Sequence, residues 1–341
     1  MKNNIYYWEI SLNNPEPVWE KIYMHNQVIV DDREYLQHVT RLRELIITYC
    51  TLFKTCHCSS GGKSDCQTLQ RILVEIDKIL MDAKIKNIEY TEFVAFWKCL
   101  DLSFSIYRKE EEVQRRFSIL QDVLKEYCES RRLLYDRLGY THIVQQALYD
   151  ANKASRQGNL GLKKIQFVLK EAIGEQAATE VLSRDMSSFL EKELGQFVPR
   201  DIVSFNELMQ NLKARYPFGT RYQGKVPDLV VKFGKNVFVI EAKHIKESGG
   251  AQDKQISEII DFIQQQEPVE SPVHYVAFLD GTYFNLFAKG GGQKISKQKS
   301  DIENALRQHP KNFFVNTEGL KQLFRDAMDD YSSSKNSEQT S

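Results

Sequence analysis

Residues 226–243 read VPDLVVKFGKNVFVIEAK and hold the strongest structural signal in this chain. The segments Val226–Phe233 and Asn236–Ala242 are rich in β-branched and aromatic residues, and each has the length of a strand. Gly234 and Lys235 stand between them, and a glycine in the first of two positions favours a type II′ turn. The stretch therefore predicts a β-hairpin.

The predicted turn determines which side chains share a face of the hairpin. If Phe233 pairs with Asn236, then Asp228 lies directly opposite Glu241, and side chains placed in this way have Cβ atoms about 4.5–5.5 Å apart. Lys243 is two residues beyond Glu241 and shares its face. The pattern predicts two carboxylates and a lysine on one side of a strand pair.

Two opposed carboxylates in an apolar hairpin repel each other. Residues 237–240 are apolar on both faces, so we expect a buried strand and poor screening of the repulsion. A divalent cation such as Mg²⁺ relieves the repulsion because it takes oxygen ligands. Lys243 on the same face can hold a nucleophilic water or stabilise charge on a phosphate. The simpler alternative is a pair of exposed strand-end carboxylates with Lys243 as their ion-pair partner.

The sequence after Tyr222 has an α/β pattern. It predicts a helix over Ile256–Ile263, a strand over Phe313–Val315 and a closing helix over Glu318–Met328. Two further strands, Pro272–Leu279 and Tyr283–Phe287, flank Asp280-Gly281, which is a hairpin-turn signal. The final residues 331–341, YSSSKNSEQTS, are predicted to be a disordered tail.

The first 150 residues are predicted to form a mostly helical region. Apolar residues at helical spacing predict helices over Tyr35–Tyr49, Leu69–Met81 and Val113–Leu138. A polar stretch, SRQGNLG at 155–161, then precedes a predicted helix over Lys163–Leu182. We therefore place a domain boundary near residue 150.

The composition excludes several classes of protein. The 341 residues include 46 basic and 46 acidic side chains, so bulk charge does not favour coating of nucleic acid. No window is apolar enough to cross a membrane, and the N-terminal residues are too polar for a signal peptide. Six cysteines are too few and too irregular for a disulfide framework, so we expect a cytoplasmic protein.

The motif Pro227-Asp228…Glu241-Ala242-Lys243 resembles the signature of PD-(D/E)xK nucleases, in the form found in type II restriction endonucleases. The resemblance covers about residues 155–328. It implies an α/β fold with a restriction-endonuclease-like mixed β-sheet core, flanked by helices, in a nuclease domain at 151–330. The mostly helical region, residues 1–150, then serves DNA recognition or dimerisation.

The resemblance also implies an activity. Similar proteins cleave double-stranded DNA with Mg²⁺ and leave 5′-phosphates, and restriction enzymes cleave at specific sequences. By resemblance, Asp228, Glu241 and the Ala242 carbonyl are expected to bind the metal, and Lys243 to orient or activate water. Many similar proteins carry a further glutamate on the preceding helix. Here several residues compete for that role and none is favoured: Gln166, Glu171, Glu175 and Glu180.

A homodimer is the simplest way for one active site per chain to cut both strands. A cognate DNA methyltransferase is the expected functional companion. Other nucleases of the same fold, acting in modification-dependent cleavage, repair or defence, remain alternatives that differ in substrate. A catalytically inactive DNA-binding module is an alternative of another class.

A local basic patch supports DNA as the partner. The segment Lys213–Lys246 has eight basic and two acidic residues, a net charge of +6, and phosphate backbones attract such a patch. The candidate DNA contacts are Lys225, Lys246, Gln252 and Gln255. A solvated basic surface and a plain glycine-rich connection between strand and helix are the alternatives.

A second cluster of residues could bind zinc. Thiol and imidazole groups occur close together in the sequence, as zinc sites require, at Cys50, Cys56, His57, Cys58 and Cys66. The spacing lacks the paired C-x2-C pattern of common zinc sites, so an unrelated group of cysteines is the alternative.

Overall fold

The computed structural model of the chain describes residues 1–18, 20, 22, 28–29, 32–58, 63–85, 87–138, 146–150, 160–175, 178, 186–222, 224–265 and 271–339. The chain divides into two compact units. One comprises Met1–Met24 and Gly158–Ser341, and the other comprises His25–Gln157. We call them the α/β unit and the helical unit. The division falls between Gln157 and Gly158, whereas the sequence placed a boundary near residue 150, and the first 24 residues group with the α/β unit instead of the helical region.

The helical unit contains the helices α2 (Arg33–Cys58), α3 (Lys63–Met81), α4 (Glu92–Phe96), α5 (Phe104–Lys109) and α6 (Val113–Leu138). The helices predicted from periodicity in this region are confirmed, and α6 has the predicted ends. Their apolar stripes form the core, with Leu73, Ile76, Leu120 and Leu124 buried. A disulfide joins Cys50 of α2 to Cys128 of α6, whereas the sequence predicted no disulfide framework.

The α/β unit contains nine helices and five strands among its described residues. The helices are α1 (Asn4–Asn13), α7 (Leu160–Ile173), α8 (Met186–Glu191), α9 (Ile202–Asn211), α10 (Pro217–Arg221), α11 (Gly250–Ile263), α12 (Asn285–Lys289), α13 (Gln293–Gln308) and α14 (Thr317–Gln339). The strands are β1 (Leu194–Phe197), β2 (Leu229–Phe233), β3 (Asn236–His244), β4 (Val273–Asp280) and β5 (Phe313–Val315).

The five strands form one mixed sheet in the order β1-β2-β3-β4-β5. Strand β2 runs antiparallel to both β1 and β3, whereas β3, β4 and β5 run parallel to one another. The predicted hairpin is confirmed as β2 and β3, with Phe233 paired to Asn236. Gly234 has a φ of 56°, as the first position of a type II′ turn requires.

Helices cover both faces of the sheet, so its central strands are buried on each side. On one face, Val237 and Val239 join a core with the apolar sides of α9, α11 and α13. On the other face, Phe238, Ile240 and Ala242 pack against α7 and α14. The expected class, a mixed sheet flanked by helices, is therefore observed.

Helix α1 covers the edge of the sheet at β5. Tyr7 packs against Phe313 with ring centroids 5.5 Å apart, and Trp8 packs against Phe314 at 5.7 Å. The two aromatic residues belong to the cores of opposite sheet faces. In addition, the Asn316 side-chain amide donates to the carbonyl of Ser11 at 3.1 Å. These contacts keep the β5 edge from pairing with another chain.

Two local predictions are wrong. The Asp280-Gly281 turn does not form a hairpin, and the predicted strand Tyr283–Phe287 is replaced by a turn and helix α12. Both edges of β4 already pair, with β3 and with β5, so no edge remains for a returning strand. The predicted disordered tail is helical as far as Gln339, and in it the Tyr331 hydroxyl donates to Glu193 at 2.8 Å.

None of the helices in the described ranges has the length and apolar character that a bilayer-spanning helix needs.

Candidate active site

The hairpin places Asp228 beside the end of β3. The Asp228 N–H donates to the Ile240 carbonyl at 3.0 Å, and the Ala242 N–H donates to Asp228 Oδ2 at 2.8 Å. The side chain of Asp228 thus accepts the hydrogen bond that a β2 carbonyl would otherwise take. Pro227 precedes it and has no N–H to continue the ladder. The register ends with Leu229 paired to Ile240, and its continuation by one residue would pair Asp228 with Glu241.

Glu241 is the most buried acid of the site, with a side chain only 1% exposed. Its Oε1 accepts hydrogen bonds from Lys243 Nζ at 2.5 Å and lies 2.6 Å from Lys225 Nζ. Its Oε2 is buried and has no hydrogen-bond partner among the described residues. Oε1 of Glu241 therefore contacts two ammonium groups, whereas Oε2 contacts neither.

Glu258 of α11 completes the ion-pair network, a name we use for Lys225, Glu241, Lys243 and Glu258. Its Oε1 lies 3.3 Å from Lys243 Nζ and also accepts a hydrogen bond from Lys225. The sequence analysis missed Glu258. The available signal was its spacing of three residues from Gln255, which places both on one side of a helix.

A tyrosine was also missed. The Tyr216 hydroxyl is buried, and no described residue forms a hydrogen bond with it. Burial and the charges of Glu241 and Asp228 raise the pKa of Tyr216 far above its ordinary value. The phenol therefore stays protonated, and it lies within electrostatic reach of both carboxylates.

The buried charges perturb one another. Burial, together with the charge of Glu241, raises the pKa of Asp228 to about 6, although the Ala242 N–H and the two lysines act in the opposite direction. Burial lowers the pKa of Lys225. Burial also acts to lower the pKa of Lys243, but the charge of Glu241 outweighs this effect, and the pKa of Lys243 is raised. A carboxyl group whose pKa is raised towards neutrality is typical of functional sites, where perturbed pKa values cluster.

The residues fit a Mg²⁺ ion that keeps several waters. The described residues contain no group of three or more His, Cys, Asp or Glu side chains placed to hold a metal. The site instead offers two carboxylates, Asp228 and Glu241, and the backbone carbonyl of Ala242. The unpartnered, buried Oε2 of Glu241 is the feature that a hard cation would satisfy.

Behind the site, α7 lies very close to β3. A Cβ placed on Gly161 would lie 2.5 Å from the Cβ of Ala242, far inside van der Waals contact. The glycine that ends the polar SRQGNLG stretch therefore allows this approach. Gly161 therefore allows α7 to pack closely against Ala242, whose N–H holds the side chain of Asp228.

The candidate DNA contacts lie near the carboxyl end of β3, but they differ in availability. Lys246 and Gln255 are exposed, Gln252 is half-buried, and Lys225 belongs to the ion-pair network. Lys235 occupies the turn at the far end of the hairpin. The local charge of +6 therefore overstates the positive surface around the site.

Among the described residues, no upstream candidate joins the network. Glu171 pairs with Lys321 at 2.7 Å, and Glu175 lies 3.6 Å from Lys170. Helix α7, which carries Gln166, packs on the sheet face opposite Glu241. Glu180 lies outside the described residues.

The zinc hypothesis loses one of its ligands. Cys50 is bonded to Cys128, so its sulfur does not join the predicted cluster. The backbones of residues 56–58 and of Cys66 belong to α2 and α3, and their side chains lie outside the described part of the structure.

Comparison of this chain with models of protein families, with curated proteins and with solved structures found no match.

Proposed function

We propose that this protein is a Mg²⁺-dependent endonuclease of restriction-enzyme type, which hydrolyses phosphodiester bonds of double-stranded DNA and leaves 5′-phosphates. One observation carries the proposal. Asp228 and Glu241 lie directly beyond the last pair of the buried hairpin, Leu229 with Ile240, and Lys243 Nζ lies 2.5 Å from Glu241. This arrangement supplies anionic oxygen ligands and a cationic donor at one place, which metal-assisted phosphodiester hydrolysis uses.

In the proposed mechanism, Asp228, Glu241 and the Ala242 carbonyl would hold the cation. When bound, Mg²⁺ supplies positive charge at the phosphate and lowers the pKa of an attacking water. Lys243 remains an ammonium group, because its pKa is raised. It therefore donates hydrogen bonds, either to the water that it orients or to the phosphate, and it does not accept the proton of the water.

The expected partners follow from this chemistry and are part of the proposal. The substrate is a DNA duplex, and a symmetric homodimer presents one active site to each strand. A DNA methyltransferase of matching specificity protects the host DNA, and the site of action is the cytoplasm.

A DNA-binding module without catalysis is the second candidate. Lys225 lies 2.6 Å from Glu241, so a lysine already supplies positive charge where the cation is expected. A site neutralised in this way would need no metal.

Digestion of phage DNA by the purified protein in Mg²⁺ separates the candidates. The restriction-enzyme proposal predicts discrete fragments with 5′-phosphate ends and no cleavage by Asp228→Asn. Lys235→Ala changes an exposed lysine at the turn and serves as the matched control, which should cut like the wild type. A uniform smear would instead support a nonspecific nuclease of the same fold, and DNA binding without any cleavage would support the module.

A further inference from the structure

The ion-pair network contains one lysine more than the proposed chemistry uses. We propose that Lys225 is a tethered placeholder for the cation: it neutralises Glu241 and Glu258 while no divalent ion is bound, and it turns towards a DNA phosphate when one binds. This inference rests on the proposed function and adds a role for Lys225.

The geometry gives the first reason. Two ammonium groups lie within 2.6 Å of the same oxygen of Glu241, and both also approach Oε1 of Glu258. Two cations side by side repel, and only the surrounding carboxylates hold them together. The arrangement is therefore sensitive to any further positive charge.

The charge balance gives the second reason. With Asp228, Glu241 and Glu258 ionised and both lysines protonated, the five side chains sum to −1. A divalent ion changes the sum to +1 in a poorly solvated site. Departure of one lysine returns the sum to zero, which an interior tolerates best.

The backbone decides which lysine leaves. Lys243 lies on β3, paired in register with Leu279 of β4, and its side chain is 15% exposed. Lys225 lies in the segment between α10 and β2, outside the sheet, and its side chain is 28% exposed. Lys225 therefore has the less constrained backbone and the more open route to solvent, where the phosphates of a bound DNA lie.

The first test is a calorimetric titration of Ca²⁺ into the full-length protein without DNA. Removal of a competing cation should strengthen Ca²⁺ binding by Lys225→Met about tenfold or more relative to the wild type. Lys225→Arg keeps the charge and should bind Ca²⁺ as the wild type does. Lys235→Met removes a lysine at the far turn and should also leave the affinity unchanged.

The second test needs no variant. Brief acetylation of the wild-type protein, read by mass spectrometry, should modify Lys225 several-fold faster in Ca²⁺ than in EDTA, whereas Lys235 should react equally in both.

A third test measures the salt dependence of DNA binding in Ca²⁺. Loss of a phosphate contact in Lys225→Met should reduce the slope of log affinity against log salt concentration by about one.

The outcomes distinguish the inference from the proposed function. If Ca²⁺ binds the wild type and is lost in Asp228→Asn, but Lys225→Met binds it no more tightly, the placeholder role is overturned and the metal site stands. Acetylation of Lys225 that ignores Ca²⁺ would overturn it in the same way. Absence of Ca²⁺ binding by the wild type would overturn both.

Discussion

Replacement of Asp228 by asparagine should stabilise the metal-free protein while it abolishes the proposed cleavage. The pKa of Asp228 is raised to about 6 from an ordinary value of 3.8. This difference corresponds to about 3 kcal/mol, the cost of keeping the carboxylate ionised in the folded protein. Asparagine has nearly the same shape and can still accept the hydrogen bond from the Ala242 N–H, so it removes the cost and keeps the contact.

The sign of the pH dependence follows from proton binding. Between pH 3.8 and about 6 the folded protein holds a proton on Asp228 that the unfolded chain has lost. The contribution of Asp228 to the free energy of unfolding therefore falls as the pH rises through this window. The advantage of Asp228→Asn should be absent below about pH 4 and should approach 3 kcal/mol, as an upper value, at pH 8.

Urea unfolding in EDTA at pH 5 and pH 8 measures this advantage. Pulsed hydrogen exchange on peptides from β2 and β3 reports the α/β unit separately from the helical unit. Asp201→Asn is the matched control, because hydrogen bonds from Ser204 at the start of α9 lower the pKa of Asp201. That variant should gain no stability at pH 8. An equal effect of Asp228→Asn at both pH values, or a loss at pH 8, would refute the reasoning.

Three further predictions concern the same site. Lys243→Ala should cut plasmid DNA in Mg²⁺ at least about a hundredfold more slowly, because electrostatic stabilisation at such sites is worth several kcal/mol; full cleavage by this variant would overturn its assignment. The wild type should bind DNA more tightly in Ca²⁺ than in EDTA without cutting it, because the cation relieves the repulsion between Asp228, Glu241 and the phosphates, and gel-shift titrations with equal affinities would contradict a shared metal. Gly161→Ala should lower the free energy of unfolding by about 1–3 kcal/mol and reduce cleavage, because its new Cβ overlaps Ala242. Addition of Ala242→Gly should recover much of this loss, and strict additivity of the two changes in urea unfolding would count against the clash.

The hairpin was predictable because its information is local. A glycine-first turn and the two-residue period of strands sufficed to place Asp228 opposite Glu241, and the register agrees. The same local reasoning failed at Asp280-Gly281. The turn residues are present there, but both edges of β4 are already paired, so no hairpin forms. The turn sequence alone does not indicate which distant strands will pair with β4.

Other parts of the site depend on tertiary packing. Glu258 enters the network because α11 packs against β3. The sequence of α11 alone does not indicate which strand this helix will cover. The pairing of Lys225 with Glu241 and Glu258 likewise depends on a segment outside the sheet. A count of charges along the sequence therefore overestimated the positive charge available to DNA. It included Lys225 and Lys243, which form ion pairs with Glu241 inside the site.

The closure of the β5 edge by α1 has a consequence for synthesis on the ribosome. Ser11 meets Asn316 across a separation of 305 residues, so α1 leaves the ribosome long before the β5 edge that it covers. At roughly 5–20 residues per second this wait is on the order of 15–60 s. Tyr7 and Trp8 remain without their final neighbours throughout, although the helical unit has already been made. The nascent chain therefore exposes the aromatic residues of α1 until β5 has been made, and a chaperone that binds such segments would find its target there.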